Sequence, residues 1–231
     1  MGLMLDEALF RNVTEAEKDA AIANVTDHAV PHQDFFLMLV LSVAMAALGF
    51  LLGSTVIVVA GMLIAPLLYP ILALALGVIA ADQRLVARSF YALGKSTAFA
   101  LAAGFAIGLL FSAHSAAPLL PFGPSSPSPL LYALAAAAAG FTLAFAVAKP
   151  RLNETLPGVA VSVSLVPPLA AAGIALALAD WSAFGYAMLL FAANSISIVF
   201  SAAIVFVLFR FAVKGSVAQG AASGQEGVIA Q

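Results

Sequence analysis

The sequence predicts an all-α membrane protein of six transmembrane helices, and three observations carry that prediction. Hydrophobic residues make up 64% of the 231-residue chain and charged residues only 9%, against about a quarter charged in a soluble domain. The apolar residues gather into six runs, each long enough at about 1.5 Å per helical residue to cross the hydrocarbon of a bilayer. When those six runs are taken as crossings, every Lys and Arg falls on one side of the membrane. Excess Lys and Arg mark the cytoplasmic side, so both termini are expected to be cytoplasmic, in a bacterial or archaeal plasma membrane.

Residues 1–34 precede the first run. Leu5, Leu9 and Val13 recur every fourth residue on an otherwise charged stretch, a helical apolar stripe. Thr14 and Glu17 fit a capping box, in which each side chain meets the other's backbone N–H. One or two short amphipathic helices on the membrane surface are expected, with a solvated arm as the alternative.

The transmembrane region is residues 35–211, with runs at Phe35–Leu52, Thr55–Ala81, Phe90–Phe111, Leu130–Ala148, Gly158–Ala179 and Ala183–Phe211. Gly53 ends the first helix and Ser54 or Thr55 caps the next. The Pro- and Ser-rich loop Ala117–Pro129 divides the region into halves of three runs, residues 35–116 and 130–211. Residues 212–231 are Gly-, Ala-, Ser- and Gln-rich, the composition of a disordered cytoplasmic tail. Removing any one crossing would scatter the cations Arg11, Lys18, Arg84, Arg88, Lys95, Lys149, Arg151, Arg210 and Lys214 over both sides. Lys95 lies a little inside its run and is expected to snorkel to the interface.

Three crossings per half is an odd number, so the halves enter the membrane from opposite sides. Any likeness between them is then an inverted repeat. Pro70 precedes Asp82, and Pro168 precedes Asp180, by the same interval over Ala/Leu-rich sequence. The second helix of each half also carries an interior proline break, at Gly61-Met62-Leu63-Ile64-Ala65-Pro66-Leu67-Leu68-Tyr69-Pro70 and at Ser162-Val163-Ser164-Leu165-Val166-Pro167-Pro168-Leu169.

These same residues carry a family resemblance. The first stretch, then Leu156-Pro157-Gly158-Val159-Ala160, Leu165-Val166-Pro167-Pro168-Leu169-Ala170 with Gly173, and Leu190-Phe191 with Asn194, resemble the prokaryotic "uncharacterised hydrophobic domain" family, an integral membrane family among the domains of unknown function. The resemblance runs from Phe35 to Phe211 and brings no established activity with it. Many members place a folded soluble domain before the membrane region, where this sequence has a short segment.

A proline inside a helix removes one backbone donor, and in lipid the carbonyl so released must be met by protein or line a wet cavity. Breaks near mid-depth in both halves point to a pathway for a small solute or ion at Gly61, Pro66, Pro70, Ser164, Pro167 and Pro168; the plainer reading is a pair of packing kinks. Ser162 and Ser164 face different sides of their helix, so at most one lines such a path. Asn194, near the middle of the sixth run, can bond neighbouring helices, satisfy a released carbonyl, or coordinate a permeating species. Asp82 and Asp180 stand at opposite interfaces, as solvated helix-flanking carboxylates or as the mouths of the pathway.

Enzyme chemistry is the weakest class. The membrane separates the two aspartates, His28, His32 and His114 lie outside the runs, and there is no zinc-type His pair or phosphate loop. No Cys is present, which excludes disulfide and thiol chemistry, and no cofactor or metal is expected. A net charge of −2 implies no nucleic-acid partner; the expected partners are the lipid bilayer and a small solute or ion. Without a titratable group at mid-depth, a neutral solute or an ion held by backbone carbonyls fits better than a proton relay. Gly49-x-x-x-Gly53 and Gly104-x-x-x-Gly108 are small-residue faces that permit close helix approach, within the bundle or between copies in a homo-oligomer. The rival reading is a membrane scaffold or sensor that transports nothing.

Overall fold

The computed structural model describes residues 14–29, 32–64, 66–111, 128–149 and 155–209. Among the described residues there are eight α-helices and no strand: α1 Glu15–Asp27, α2 Gln33–Leu51, α3 Thr55–Met62, α4 Leu68–Ile79, α5 Gln83–Phe111, α6 Pro129–Ala148, α7 Thr155–Ala177 and α8 Trp181–Leu208. Four of them, α2, α5, α6 and α8, are long and apolar enough to cross a membrane. The Leu5, Leu9 and Val13 stripe, nearly all of the Pro/Ser loop and the C-terminal tail lie outside the described residues.

The two proline-bearing runs behave differently. Thr55–Ala81 resolves into α3 and α4 with Pro66 between them, whereas α7 runs without interruption through Pro167 and Pro168. The expectation of a broken second helix in each half therefore holds only for the first. Spacing explains the difference. Pro66 and Pro70 are four apart, so their missing donors strip bonds from successive turns of one face, at Met62 and Pro66. The adjacent pair Pro167 and Pro168 removes two bonds within a single turn, and the flanking turns hold. Pro70 itself falls in the first turn of α4, where the N–H it lacks has no intrahelical partner.

Three helix-to-helix turns share one construction. Gly53, Ala81 and Ala179 are left-handed, with φ of 65°, 50° and 55°. In each turn the next residue's N–H reaches the carbonyl five residues back: Ser54 to Gly49 at 2.9 Å, Asp82 to Gly77 at 3.0 Å and Asp180 to Ala175 at 2.9 Å. This is the Schellman arrangement. At the latter two turns the aspartate carboxylate then caps the following helix, accepting from the N–H groups of Arg84 (2.9 Å) and Leu85 (3.1 Å), or from that of Ala183 (3.0 Å).

The same spacing recurs in burial. Leu85, Ser89, Ala92, Ser96, Ala100, Gly104 and Gly108 are the buried residues of α5. At the interval from Asp82 to Asp180 each meets a buried residue of α8: Ala183, Ala187, Leu190, Asn194, Ile198, Ala202 and Phe206. At an interval one shorter, the buried residues of α2 (Leu39, Ser42, Val43, Ala46, Ala47, Gly49 and Leu51) meet Ala136, Ala139, Gly140, Leu143, Ala144, Ala146 and Ala148 of α6. Every buried position of α2 and α5 thus has a buried counterpart in α6 and α8, which in addition bury Val147 and Phe191, Ser195, Ser201 and Val205, as helices that present a similar face in one register do.

Close crossings hold the bundle. Gly104 and Gly173 bring α5 and α7 together backbone to backbone; a Cβ on Gly173 would lie 2.6 Å from Gly104 Cα. Gly108 meets Ile174 and Ala177 one turn on. The Gly104/Gly108 face is thus used inside the bundle. Of the other small-residue pair, Gly49 packs against Val58 and Gly53 makes the turn.

Helix α1 is neither a free arm nor a separate surface helix. Its capping box forms, with Thr14 N–H donating to Glu17 Oε2 at 2.8 Å and Glu17 N–H to Thr14 Oγ1 at 3.3 Å. Ala21, Val25 and Ala29, an apolar stripe at every fourth residue, are buried as α1 packs on α4, and the His28 ring stacks on Tyr69 at 4.7 Å.

Two substitutions check this frame by unfolding of the detergent-solubilised protein. Gly173→Ala forces the α5–α7 crossing apart and is expected to cost about 1–3 kcal/mol. Ala179→Gly relieves a left-handed alanine and is expected to stabilise by about 1 kcal/mol.

Candidate functional site

The prolines decide where the polar work of the interior is done. Helical bonding runs from an N–H to the carbonyl four residues earlier, so Pro168 leaves Ser164 O without its donor and Pro167 does the same to Val163 O. The Ser164 carbonyl is met from α8: Asn194 Nδ2 donates to it at 2.8 Å. In the first half, α3 ends just before Pro66, and the last-turn carbonyl of Gly61 accepts a hydrogen bond from Ser42 Oγ of α2 at 2.8 Å. It also accepts one from the Ile64 N–H at 3.2 Å. A side chain from a neighbouring helix thus serves each proline-disrupted stretch.

Asn194 is only 2% exposed, and its amide is half used. Nδ2 is committed to Ser164 O, while Oδ1 is buried without a partner. The orientation is dictated by chemistry, because the flipped amide would set oxygen against oxygen. A buried acceptor left unmet costs about 1–3 kcal/mol, so Oδ1 is a place where an added donor or cation gains most. Ser89 Oγ, fully buried on α5, is also without a partner. The other hydroxyls near Asn194 are spent on their own helix: Ser195 donates to Phe191 O at 2.8 Å and Ser201 to Ile198 O at 3.0 Å.

The structure brings Asn194, Ser164 and the Pro167–Pro168 turn together. It places Gly61 in a different group, with Ser42. Gly61 is buried where a Cβ would lie 2.8 Å from both Ala46 N and Ser42 O, so its small size lets α3 reach the Ser42 hydroxyl. Pro66 is half-buried and Pro70, Pro167 and Pro168 are buried. Helix α3 packs on α7, so the two groups sit on touching helices. Asp82 and Asp180 stand apart from both, as caps of α5 and α8. The Asp180 carboxyl is held below its ordinary pKa of 3.8, first by the Ala183 N–H and then by the Ser182 hydroxyl, which donates to it at 2.9 Å.

Ser42 is the functional residue that sequence reasoning passed over. It is the one hydroxyl in α2, and its position at the level of the first break was the available signal. Lys95 is the other adjustment. Because α5 begins at Gln83, Lys95 lies well inside its helix, yet its Nζ rests 4.6 Å from the centre of the Phe36 ring. The charge therefore sits beside the first turn of α2.

Comparison with known proteins adds a family and a distant relative. The model of the family described as "Domain of unknown function (DUF389)" matches residues 62–200, the stretch that holds Pro66, Pro70, Pro167, Pro168 and Asn194. An uncharacterised protein of Methanocaldococcus jannaschii is 28% identical over 191 residues, covering 78% of this chain. The chain spans 56% of that relative's length. No solved structure matches.

Two outcomes follow from the geometry. Ser42→Ala withdraws a buried donor from Gly61 O and is expected to cost about 1 kcal/mol in detergent unfolding. Asp180 has a lowered folded pKa, so its stabilisation is present above the ordinary value of 3.8 and is lost as pH falls through the folded pKa. Asp180→Ala should lower the thermal midpoint near pH 6, and the gap to the parent chain should narrow as the pH falls below 3.8 and through the lowered folded pKa.

Proposed function

We propose, from the premise that this chain belongs to the DUF389 family, that it is a multi-pass membrane transporter or channel for a small solute or ion, with Asn194 at its site. The observation that carries this reading is the Asn194 amide. It is buried in an apolar bundle, fixed by one hydrogen bond to a proline-freed carbonyl, with its acceptor oxygen unmet. Intramembrane polar groups are costly and face the bundle interior or a cavity, where they bond neighbouring helices or line a pathway. A proline-interrupted helix in one half and a proline-bearing helix beside such a group in the other are akin to the discontinuous helices that build transport sites.

The proposed topology has six crossings: α2, α3 with α4, α5, α6, α7, and α8. Both termini lie in the cytoplasm of a prokaryotic cell, because only that arrangement gathers every Lys and Arg on one side. The halves α2–α5 and α6–α8 are proposed to be an inverted repeat. Its support is the shared burial register of α2 with α6 and of α5 with α8, and the matching turns that end in Asp82 and Asp180. A repeat of three crossings cannot be other than inverted. Asp82 and Asp180 would then lie at opposite faces; as pathway mouths they would act while capping their helices. Transport needs no catalytic constellation, and the proposal assigns none.

A second reading, a membrane scaffold or sensor, is favoured by one observation: Gly61 O and Ser164 O are both met by protein side chains. A kink that is fully patched need not conduct anything.

Flux separates the two. Proteoliposomes of the parent chain should pass either alkali cations, read with an entrapped fluorescent indicator, or small polyols, read by light scattering after an osmotic step. Asn194→Leu, with its elution profile in detergent unchanged, should reduce that flux about tenfold or more. Absence of flux for every solute in the parent chain would leave the scaffold reading in its place.

A further inference from the structure

We propose that the unmet oxygen of Asn194 is a ligand for a monovalent alkali cation, bound together with backbone carbonyls that Pro167 and Pro168 release. This rests on the transport reading for its purpose, and names the cargo or coupling species that the same site would take.

The argument is one of donor and acceptor count. Around Asn194 the groups left over by helical bonding are acceptors. Pro167 and Pro168 have no N–H, so Val163 O and Ser164 O lose their helical donors. Asn194 Nδ2 supplies one donor, to Ser164 O at 2.8 Å. Its own Oδ1 remains unmet in a side chain 2% exposed. The Ser195 and Ser201 hydroxyls do not supply the deficit, since they donate to their own helix. An unpartnered Oδ1, on a side chain already bonded to a proline-freed carbonyl, is unfavourable unless a donor or a positive charge meets it. An anion would meet the wrong ends of these dipoles.

Charge count selects the cation. The buried polar residues among those described are Ser42, Ser89, Ser96, Ser162, Asn194, Ser195 and Ser201, none of them ionisable near neutral pH. No cluster of His, Cys, Asp or Glu that could hold a metal occurs among the described residues. Divalent cations are held by carboxylates, whereas neutral carbonyl oxygens can replace the hydration shell of an alkali ion. Unwound or proline-freed carbonyls in discontinuous membrane helices are suited to the same task. Repeat symmetry sharpens the point. The residue at the Asn194 position of the first half is Ser96, which spends its hydroxyl on Ala92 O at 2.8 Å. The amide oxygen is therefore peculiar to the second half, and one site is expected rather than two.

The test is thermal unfolding of the full chain purified in detergent. Sodium or potassium chloride would be titrated against N-methylglucamine chloride, holding ionic strength and chloride constant. A cation that binds only the folded state raises the midpoint saturably. The parent chain should show a saturable rise with one alkali cation and none with N-methylglucammonium. Asn194→Asp adds a full charge at the same atom and should shift the midpoint of that rise about tenfold lower in concentration. Asn194→Leu should remove it. If the Leu variant does not fold, the Asp variant alone decides. Identical curves in all three salts, or an Asp variant with the parent's response, would overturn the site and leave Oδ1 to a water molecule. Cation-dependent stabilisation without flux would defeat the transport reading while the site stood; flux without any cation effect would defeat the site and spare the transport reading.

Discussion

A peptide carbonyl that has lost its helical donor cannot be left bare in an apolar interior, and this requirement shapes the middle of the bundle. Four prolines in two helices create the deficit. Two side chains from neighbouring helices, Ser42 and Asn194, meet a carbonyl in each proline-bearing stretch at 2.8 Å. The close crossings follow from the same need. Ser42 reaches Gly61 O only because residue 61 has no side chain to hold the helices apart. Asn194 reaches Ser164 O because α8 packs directly on α7. Hydrogen bonding and small-residue packing are one device here.

The two halves solve one problem with different chemistry. A serine has a single hydroxyl hydrogen, and donating it leaves an oxygen that a membrane interior tolerates. An asparagine brings a full carboxamide, so each donation carries an acceptor along with it. Where the donor is Ser42 the helix is interrupted, and where it is Asn194 the helix continues. That difference lies within a frame that is otherwise shared, with Asp82 and Asp180 closing matching turns and the buried faces of α5 and α8 in one register. Among the described residues two buried side-chain polar atoms remain unmet, Ser89 Oγ and Asn194 Oδ1, and only the second belongs to a side chain that also meets a proline-freed carbonyl.

Much of this was legible in the sequence. The apolar runs located α2, α6, α7 and α8, and the end of α5, to within a few residues, since length and composition dominate when a helix is apolar all round. Gly53 as the end of α2, and the Thr14–Glu17 box, were legible because each rests on local backbone chemistry. Asn194 stood out as an amide inside an apolar run. What could not be read depended on contacts across the fold. The docking of α1 on α4 uses alanines and a valine that look like any helix face. The start of α5 at Gln83 rather than Phe90 was hidden because Arg84 and Arg88 resemble a loop, although they extend a helix that Asp82 caps. The unequal fates of the two proline stretches follow from spacing, four residues against one, which a search for breaks alone does not weigh. Ser42, the one hydroxyl of α2, gains its meaning only once Gly61 is placed beside it.

The central claim is that Asn194 substitutes for the N–H that Pro168 lacks, and a double-mutant cycle tests it most directly. Asn194→Leu in the parent chain strands Ser164 O and should cost about 1–3 kcal/mol in detergent unfolding. In a Pro168→Ala background the new N–H of residue 168 can bond Ser164 O along the helix, and the same Asn194→Leu change should then cost less than about 0.5 kcal/mol. Equal costs in the two backgrounds would contradict the account, because the amide would then be holding something other than the carbonyl that proline set free.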